Sequence, residues 1–431
     1  MFIPKVAACA VLAWAALALP RCAHAADPLH LPDLIAEALS RNPEILAAQK
    51  NYEAARQRPS RESSLPDPTL SLSYASNGGP LPGQQLGSNP TSNIGFMVSQ
   101  ELTSAEKRRL RGSIAAKEAD AEFWQYQAVG LNVRSRVTQA FHRLHHTYAA
   151  LQILAAGKEL LLQMIRVAEA RYTVGKTPQQ EIFKAQMQLS LMETRIIRMQ
   201  QDQRTAEAEL NSLLNRPPGS ALTEPVRTDA GKLPLSVDEL LARAASASPE
   251  LARKQKMIAR SELSVNLARK DLHADYTISA GYFNQGSMSP MYQVRLDIPL
   301  RLHTEQKQRP AVNEQVDLLS GARRGFEAAE QSLQFRVREA YIAAGTAWRL
   351  MKLYADTILP QSQLTVDSSL LAYQNGSADF LAVLNNLASR VDVEEQLHEQ
   401  ELNYALALAR LEEMTGVDLL SGTVMSEGIR Q

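Results

Sequence analysis

Apolar residues recur with the same alternating spacing in two stretches of the chain that lie 200 residues apart. In the first stretch, from Val137 to Ala155, the spacings are 4, 3, 4, 3 and 4. Residues 337–355 repeat that spacing at every position. An alternation of 4 and 3 is typical of the seam of a left-handed coiled coil. Two seams in the same register predict that the chain contains an internal duplication.

Shorter matches flank the two seams in the same order. Before the seams, Asn-Pro-Glu at residues 42–44 corresponds to Ser-Pro-Glu at 248–250. After them, a Tyr-x-x-Gly sequence at 172–175 recurs 201 positions later, at 373–376. Ordered matches of this kind indicate two tandem copies of one structural unit. We therefore predict a first repeat over residues 27–216, a linker over 217–234, a second repeat over 235–416 and a poorly ordered tail over 417–431.

Within each repeat the apolar spacing changes from a helical period to a period of 2. In residues 69–102, two alternating stretches surround a loop rich in Gly, Pro and Asn, and residues 275–300 repeat the arrangement. Alternating stretches around such a loop predict a β-hairpin. In the last strand, Gln293, Arg295 and Asp297 alternate with purely apolar residues. The apolar positions of the predicted strands are Leu70, Leu72, Phe96, Val98, Tyr292, Val294, Leu296 and Ile298.

This alternation is typical of strands that span a bilayer, with apolar side chains toward lipid and polar side chains toward a lumen. We therefore predict that the apolar set faces lipid and that Gln293, Arg295 and Asp297 face the lumen. Four strands cannot close a barrel of useful width, so several chains must contribute. After the N-terminal segment, no apolar run reaches the roughly 18 residues of a membrane-spanning helix. A closed β-barrel is therefore the predicted route into a bilayer.

Long helices are predicted to follow each hairpin. No proline occurs between residues 105 and 172, and a helix of that length is about 100 Å long. A glycine then reverses the chain in each repeat, because glycine adopts backbone angles that other residues avoid, and a second helix runs back. The elements so predicted are a first helix over 32–57, a helical hairpin over 105–172 and 178–214 with its tip near Gly175, and a second helical hairpin with its tip near Gly376 and a break at Pro360.

The N-terminus has the features of a cleaved secretory signal. Lys5 precedes an apolar stretch of signal-peptide length, and small residues suited to a signal peptidase follow it. We predict that residues 1–26 are removed, and both cysteines of the chain lie within them. A bacterial lipidation site needs a small residue before its cysteine. Because Arg21 precedes Cys22, we predict that the chain is not lipidated.

Composition and candidate chemistry argue against an enzyme or a nucleic-acid-binding protein. The formal net charge is zero, so no strong electrostatic attraction to nucleic acid is expected. One cluster, His142, His145 and His146, is suggestive because histidines four apart on a helix can bind metal. The second repeat lacks these histidines, and no acidic residue accompanies them in the sequence, so we interpret them as a solvated helix face. We predict no enzymatic activity, no cofactor and no bound metal.

The signal peptide, the duplicated unit of hairpin and long helices, the two Pro-Glu motifs and the two Tyr-x-x-Gly tips together resemble the outer membrane factor family, the TolC-like channels of Gram-negative bacteria. The resemblance implies a mainly α fold with a small β part. Long antiparallel coiled-coil hairpins would form a periplasmic tunnel, and four strands per chain would join a trimeric twelve-stranded transmembrane β-barrel. The compact length and the pattern of residues 40–74 lean toward the heavy-metal efflux branch.

The resemblance also implies roles for single residues. Asp379 is the nearest match to acidic residues that form the pore constriction in relatives, and Glu181 is a second candidate. Three copies of Asp379 around an axis would make a ring of like charges that attracts cations. The residues implied to contact an adaptor at the two tips are Tyr172, Val174, Gly175, Lys176, Tyr373, Asn375, Gly376 and Ser377.

The implied function is that of an outer-membrane exit duct of a tripartite efflux system, which passively conducts substrates such as metal ions or drugs. The implied partners are two further copies of the chain, a periplasmic adaptor, a proton-driven inner-membrane pump of the RND type, and outer-membrane lipid. Two alternatives stay open. One is the outer-membrane component of a type I protein secretion system, and the other is a soluble periplasmic coiled-coil scaffold whose hairpins form a small solvated sheet.

Overall fold

The computed structural model describes residues 28–76, 80–227, 231–417 and 419. The predicted signal peptide and nearly all of the predicted tail lie outside the described residues. The first repeat contains α1 (Leu31–Arg41), α2 (Pro43–Ala55), α3 (Arg58–Ser63), β1 (Thr69–Ala75), β2 (Asn93–Leu102), α4 (Ala105–Thr173) and α5 (Gln179–Leu213). The second contains α6 (Val237–Ala247), α7 (Pro249–Lys270), β3 (Tyr276–Asn284), β4 (Met291–Asp297), α8 (Gln308–Leu353), a π-turn (Tyr354–Ile358), α9 (Leu359–Gln374) and α10 (Phe380–Thr415).

This architecture confirms the predicted fold class, which is mainly helical with four antiparallel strands. The 69-residue α4 and the 35-residue α5 run antiparallel as the first helical hairpin, and α8 to α10 form the second. Within the described part of the chain, no helix has both the length and the apolar character needed to cross a bilayer.

The first predicted helix is two helices in the structure, α1 and α2, and α3 follows directly after its predicted end. The chain breaks at Asn42, because a residue before proline disfavours the α conformation, and Asn42 has φ −65° and ψ 125°. Its Oδ1 accepts the Glu44 backbone N–H at 2.9 Å, and its Nδ2 donates to the Leu213 carbonyl at 2.9 Å. Pro59 lies in the first turn of α3, where proline is tolerated. The prediction of one continuous helix over 32–57 is therefore wrong.

The Ser-Pro-Glu sequence makes the equivalent break in the second repeat. The Ser248 side chain caps α7 by accepting the Leu251 backbone N–H at 3.3 Å. In both repeats the glutamate of the motif then pairs with the arginine directly before the seam. The two ion pairs are Glu44–Arg136 at 2.9 Å and Glu250–Arg336 at 2.7 Å.

The four strands form one antiparallel sheet in the order β1-β2-β3-β4. The central pairing of β2 with β3 joins the two repeats, with Phe96 opposite Tyr282. Leu72 lies opposite Phe96 on one side, and Tyr292 lies opposite Tyr282 on the other. Because residues directly opposite each other share a face, these four side chains form one row across the sheet. Strands β1 and β4 are the two edges.

Each helical hairpin is held by its own apolar core, and the cores correspond between the repeats. Val137, Phe141 and Leu144 are fully buried in the first core, as the seam predicts. The predicted seam residue Ala155 is exposed, however, and Leu154 is buried beside it. The reason is a change of partner, because α4 there packs against both α5 and α10. Equivalent core positions are Leu34 and Leu240, Ala38 and Ala244, Val137 and Val337, Ala140 and Ala340, and Leu210 and Leu411.

The π-turn explains why the offset between the repeats changes from 200 to 201. The Leu359 backbone N–H donates to the Tyr354 carbonyl, five residues earlier. Such a turn accommodates one more residue than an α-helical turn, and α4 is a continuous α-helix at the equivalent place. Pro360 lies directly after it, in the first turn of α9. The predicted break at Pro360 is therefore a bulge within a helix that continues on both sides.

Candidate functional site

One face of the sheet is apolar and open to the surroundings. Leu72 and Val294 are each 81% exposed, although both are large apolar side chains at the centre of their strands. An exposed apolar patch of this extent marks a surface that contacts protein or lipid rather than water. The exposed apolar residues of this face are Leu70, Leu72, Ile94, Phe96, Val98, Ile278, Tyr292, Val294 and Leu296, with Ile298 just beyond β4.

The opposite face carries the polar residues predicted for a lumen. Arg295 Nε donates to Asp297 Oδ2 at 2.9 Å, and Gln293 is exposed on the same side of β4. Further across, Ser279 Oγ donates to Ser99 Oγ at 2.9 Å. This face is not polar throughout, because it also carries Met97 in the middle of β2 and Phe283 and Met291 near the loop end of the sheet.

A buried lysine joins the sheet to the long helices. Lys107, near the start of α4, has a side chain only 2% exposed. Its Nζ donates to the His273 carbonyl at 2.7 Å and to Asp275 Oδ2 at 2.9 Å, and lies 3.3 Å from Asp271 Oδ1. Burial raises the pKa of Asp275, but the bonds from Lys107 and from the Ser104 N–H outweigh burial and lower it. Neither the periodicity nor a motif of the sequence predicted this junction.

At the other end of the long helices, both tips have the same backbone structure. The Gly175 N–H donates to the Tyr172 carbonyl at 2.9 Å, and the Lys176 N–H donates to the Arg171 carbonyl at 2.9 Å. These two bonds define a Schellman motif, in which the glycine must adopt a positive φ. Gly175 has φ 70° and Gly376 has φ 75°. The glycines predicted at the reversals are therefore required by the backbone.

The two tip tyrosines differ in environment, although their sequence positions correspond. Tyr172 is 44% exposed, whereas Tyr373 is 3% exposed. Arg171 lies over the Tyr373 ring at 4.4 Å, and its Nη1 donates to the Tyr373 carbonyl at 2.7 Å. Burial and the nearby Glu181 raise the pKa of Tyr373 to about 12. Tyr373 is therefore not part of the exposed tip surface, which corrects its assignment to adaptor contact.

The remaining tip candidates are on the surface. Val174 is exposed with Lys176 at the first tip, and Asn375 is exposed with Ser377 at the second. The exposed tip surface therefore consists of Tyr172, Val174, Gly175, Lys176, Asn375, Gly376 and Ser377.

The two constriction candidates lie near each other but play different structural roles. Asp379 is exposed and is the first residue before α10. Glu181 is half-buried in the first turn of α5 and accepts a hydrogen bond from the Tyr373 hydroxyl at 3.2 Å. Burial raises the pKa of Glu181, and the charge of Asp379 raises it further against the opposing bond from Tyr373. Of the two, Asp379 is the carboxylate free of this internal bond.

The three clustered histidines of α4 line a cavity in the middle of the helices. His142 is buried, and His145 and His146 are half-buried. His398 and Glu401 of α10 line the same cavity. The interpretation as a solvated helix face without an acidic neighbour is therefore wrong, because the neighbour comes from a distant part of the sequence. Among the described residues, no group of three or more His, Cys, Asp or Glu side chains could hold a metal ion.

Comparison with known proteins agrees with this arrangement. The sequence model of the outer membrane efflux protein family matches residues 34–216, which run from α1 past the end of α5. The first repeat is therefore similar to the outer membrane efflux protein family. No curated protein matches the chain.

Similarity to solved structures extends over nearly the whole chain. The outer membrane channel CmeC of Campylobacter jejuni matches 92% of this chain and 87% of its own, with a TM-score of 0.77 and 15% identity. The outer membrane protein VceC of Vibrio cholerae matches 90% and 96%, with a TM-score of 0.75 and 16% identity. The outer membrane channel MtrE of Neisseria gonorrhoeae, in its open state, matches 90% and 88%, with a TM-score of 0.72 and 18% identity. At these identities the comparison establishes a shared fold.

Proposed function

We propose that the chain is the outer-membrane exit duct of a tripartite efflux system. The observation that carries the proposal is the exposed apolar face of the sheet, at the end of a helix of 69 residues. At 1.5 Å per residue such a helix is about 100 Å long, which suits a periplasmic tunnel. A scaffold in water would not expose a row such as Leu72, Phe96 and Tyr292, whereas the hydrocarbon of a bilayer accepts it.

The working unit is a homotrimer. Strands β1 and β4 leave unpaired edges, which a membrane cannot satisfy, and pairing β1 of one chain with β4 of the next removes both. Twelve strands from three chains close a barrel wide enough for a channel. Exposed apolar side chains along the helices support the same assembly, because they need protein partners. They include Phe183, Met187 and Leu191 on α5 and Phe335, Ile342 and Leu353 on α8.

The gate lies at the tips. Asp379 begins α10 on the surface, and three copies around the trimer axis would form an acidic ring. Ionised carboxylates in such a ring repel one another and attract cations. Opening is then a loosening of the tip helices, for which the bond between Tyr373 and Glu181 is one restraint within each chain.

The partners follow from the passive nature of a duct. A periplasmic adaptor would bind the exposed tip surface, and an inner-membrane pump of the proton-driven type would supply the energy. Membership of the heavy-metal efflux branch stays a prediction. A wide polar lumen discriminates little between substrates, so substrate specificity would lie mainly in the pump. The signal peptide and the absence of lipidation are part of the proposal, since barrel insertion alone would hold the trimer in the outer membrane.

The test is single-channel recording in planar bilayers. Purified wild-type trimer is expected to insert and conduct, and Asp379→Ala is expected to change conductance or cation preference. Asp367→Ala, an exposed acid on α9, is the matched control and should leave both unchanged. A wild type that stays in the soluble fraction and never conducts would contradict the duct and favour the soluble scaffold. Equal conductance and cation preference of Asp379→Ala and wild type would be consistent with the duct but would show that Asp379 does not form the gate.

A further inference from the structure

A cavity of about 340 Å³ is lined by residues of both repeats and of the linker. Three of its histidines, His142, His145 and His146, lie on α4, and His398 lies on α10. Trp348 of α8 lies on another side of the cavity. We call this the histidine cavity. It lies where the first and second repeats meet, so a change in its charge acts on the contact between them.

The cavity has one carboxylate in its lining, and that carboxylate already has partners. A ring nitrogen of His398 lies 2.8 Å from Glu401 Oε2, and Arg227 Nη2 lies 3.3 Å from Glu401 Oε1. Two further acids, Glu224 and Glu399, act on the histidines electrostatically. Of these, Glu224 accepts a hydrogen bond from Gln152 at 3.1 Å. The charged and titratable groups that face the histidines are Glu224 and Arg227 of the linker, Lys352 of α8, and His398, Glu399, Glu401 and Tyr404 of α10.

The histidines of α4 are held in their neutral form. His142 Nε2 is buried without a hydrogen-bond partner. Burial, with a smaller effect of His145, lowers the pKa of His142 to about 4. Burial also lowers the pKa values of His145 and His146, although Glu401 opposes it at both. At neutral pH this contact between α4 and α10 therefore contains uncharged imidazoles.

We propose that the histidine cavity is a pH-sensitive joint between the two repeats, which closes around neutral imidazoles and opens locally when they become protonated. Added protons would place several positive charges beside Arg227 and Lys352, with Glu401 already engaged. Like charges at short range in a partly buried site repel strongly. Local separation of α4 from α10 relieves this repulsion by admitting water.

The joint is built once per chain. The positions on α8 that correspond to His142, His145 and His146 are Ile342, Gly345 and Thr346, which do not titrate. This asymmetry gives an internal control, because acid should loosen α4 near residue 145 and leave α8 near residue 345 unchanged. The joint does not depend on the proposed duct, since its opening is a local change that can be measured without transport.

Trp348 reports the opening, because it lies in the cavity wall and Trp124 is the one other tryptophan beyond the predicted signal peptide. Water in the opened joint restores the ordinary pKa of its histidines, so protonation favours the open form as the pH falls through that value. In a Trp124→Phe trimer, lowering the pH from about 7.5 to about 5 should therefore shift Trp348 emission to the red. Acrylamide quenching should rise about twofold, as expected when local opening exposes a side chain. Hydrogen exchange should rise in residues 140–148 and 396–404 over the same interval, and not in 340–347.

Two variants make the test decisive. His145→Gln/His398→Gln changes half-buried positions and is expected to fold and to lose most of the fluorescence shift. Adding His142→Asn and His146→Gln should abolish it. His303→Gln, at an exposed position outside the cavity, should keep the full response. A wild type without a response between these pH values, or a double variant with the wild-type response, overturns the joint.

Discussion

The Tyr373 hydroxyl donates a hydrogen bond of 3.2 Å to Glu181 Oε2 and so ties the tip of the second repeat to the first turn of α5 in the first repeat. The tie is reinforced by Arg171, which covers the Tyr373 ring. The corresponding residue of the first repeat, Tyr172, is exposed. The tips therefore share a backbone structure, but only the tyrosine of the second tip is held between the two repeats.

Removing this hydroxyl should loosen the gate. Tyr373→Phe keeps the ring in contact with Arg171 and Phe380 and deletes a bond that contributes about 1 kcal/mol. We expect a higher open probability in planar-bilayer recordings, with little change in the stability of the trimer. Tyr172→Phe is the matched control and should behave as wild type. Equal open probabilities for the two variants would show that the bond does not restrain the gate.

Gly157 lies where three helices pack closely together. A Cβ atom at this position would lie 2.9 Å from Val391 Cγ2 and 3.2 Å from Met192 Cε. Overpacking of this kind typically costs about 1–3 kcal/mol, so Gly157→Val should lower the urea midpoint of the purified trimer. Gly130→Ala adds its Cβ where no atom lies within 4 Å. It should leave the midpoint unchanged or raise it, because alanine favours a helix by up to about 1 kcal/mol. The same loss in both variants would contradict the close approach.

The buried lysine at the junction of sheet and helices should be essential. Lys107→Met removes the buried partner of Asp271 and Asp275, whose side chains are 43% and 18% exposed. A hydrogen bond to a charged group contributes about 1.5–3 kcal/mol. We expect a large loss of heat-resistant trimer in detergent. Lys270→Met removes an exposed ion pair with Glu106, which contributes less than about 1 kcal/mol, and should keep the trimer. If both variants assembled equally well, the junction would not depend on Lys107.

The contact between α1 and the end of α5 should depend on pH. The bonds from Arg216 to Glu37 are 2.9 and 2.5 Å long, and they lower the pKa of Glu37 below its ordinary value of 4.5 against the effect of burial. Because the folded pKa is the lower one, the stabilisation is present above pH 4.5 and is lost as the pH falls through the folded value.

The matched measurement compares wild type with Glu37→Gln. At pH 7 the variant should unfold with a free energy lower by about 1 kcal/mol, since the pair is partly exposed to solvent. The difference in unfolding free energy should shrink as the pH falls below the pKa of a free glutamate carboxyl group. A difference that stayed constant with pH would assign it to packing rather than to charge. Asp33→Asn, in the first turn of the same helix, serves as the control.

Local patterns in the sequence predict most of the elements and their order, although they missed the break at Asn42. The 4-3 spacing at Val137 and Val337, the period of 2 in the strands and the glycines at residues 175 and 376 all express local rules. Such rules depend on neighbours within one or two turns, so they can be found without knowledge of the fold. The duplication was visible for the same reason, because each copy needs the same local pattern.

The tertiary structure alone decided what these elements contact. Tyr172 and Tyr373 have the same local sequence pattern, yet one is exposed and the other is buried under Arg171, because only the Tyr373 side chain lies between the two repeats. The histidines of α4 face Glu401, which lies more than 250 residues later. No periodicity in the sequence predicts a contact between residues so far apart. Burial, partners and pKa values depend on which surfaces pack together, and the choice of packing surface is a property of the whole chain.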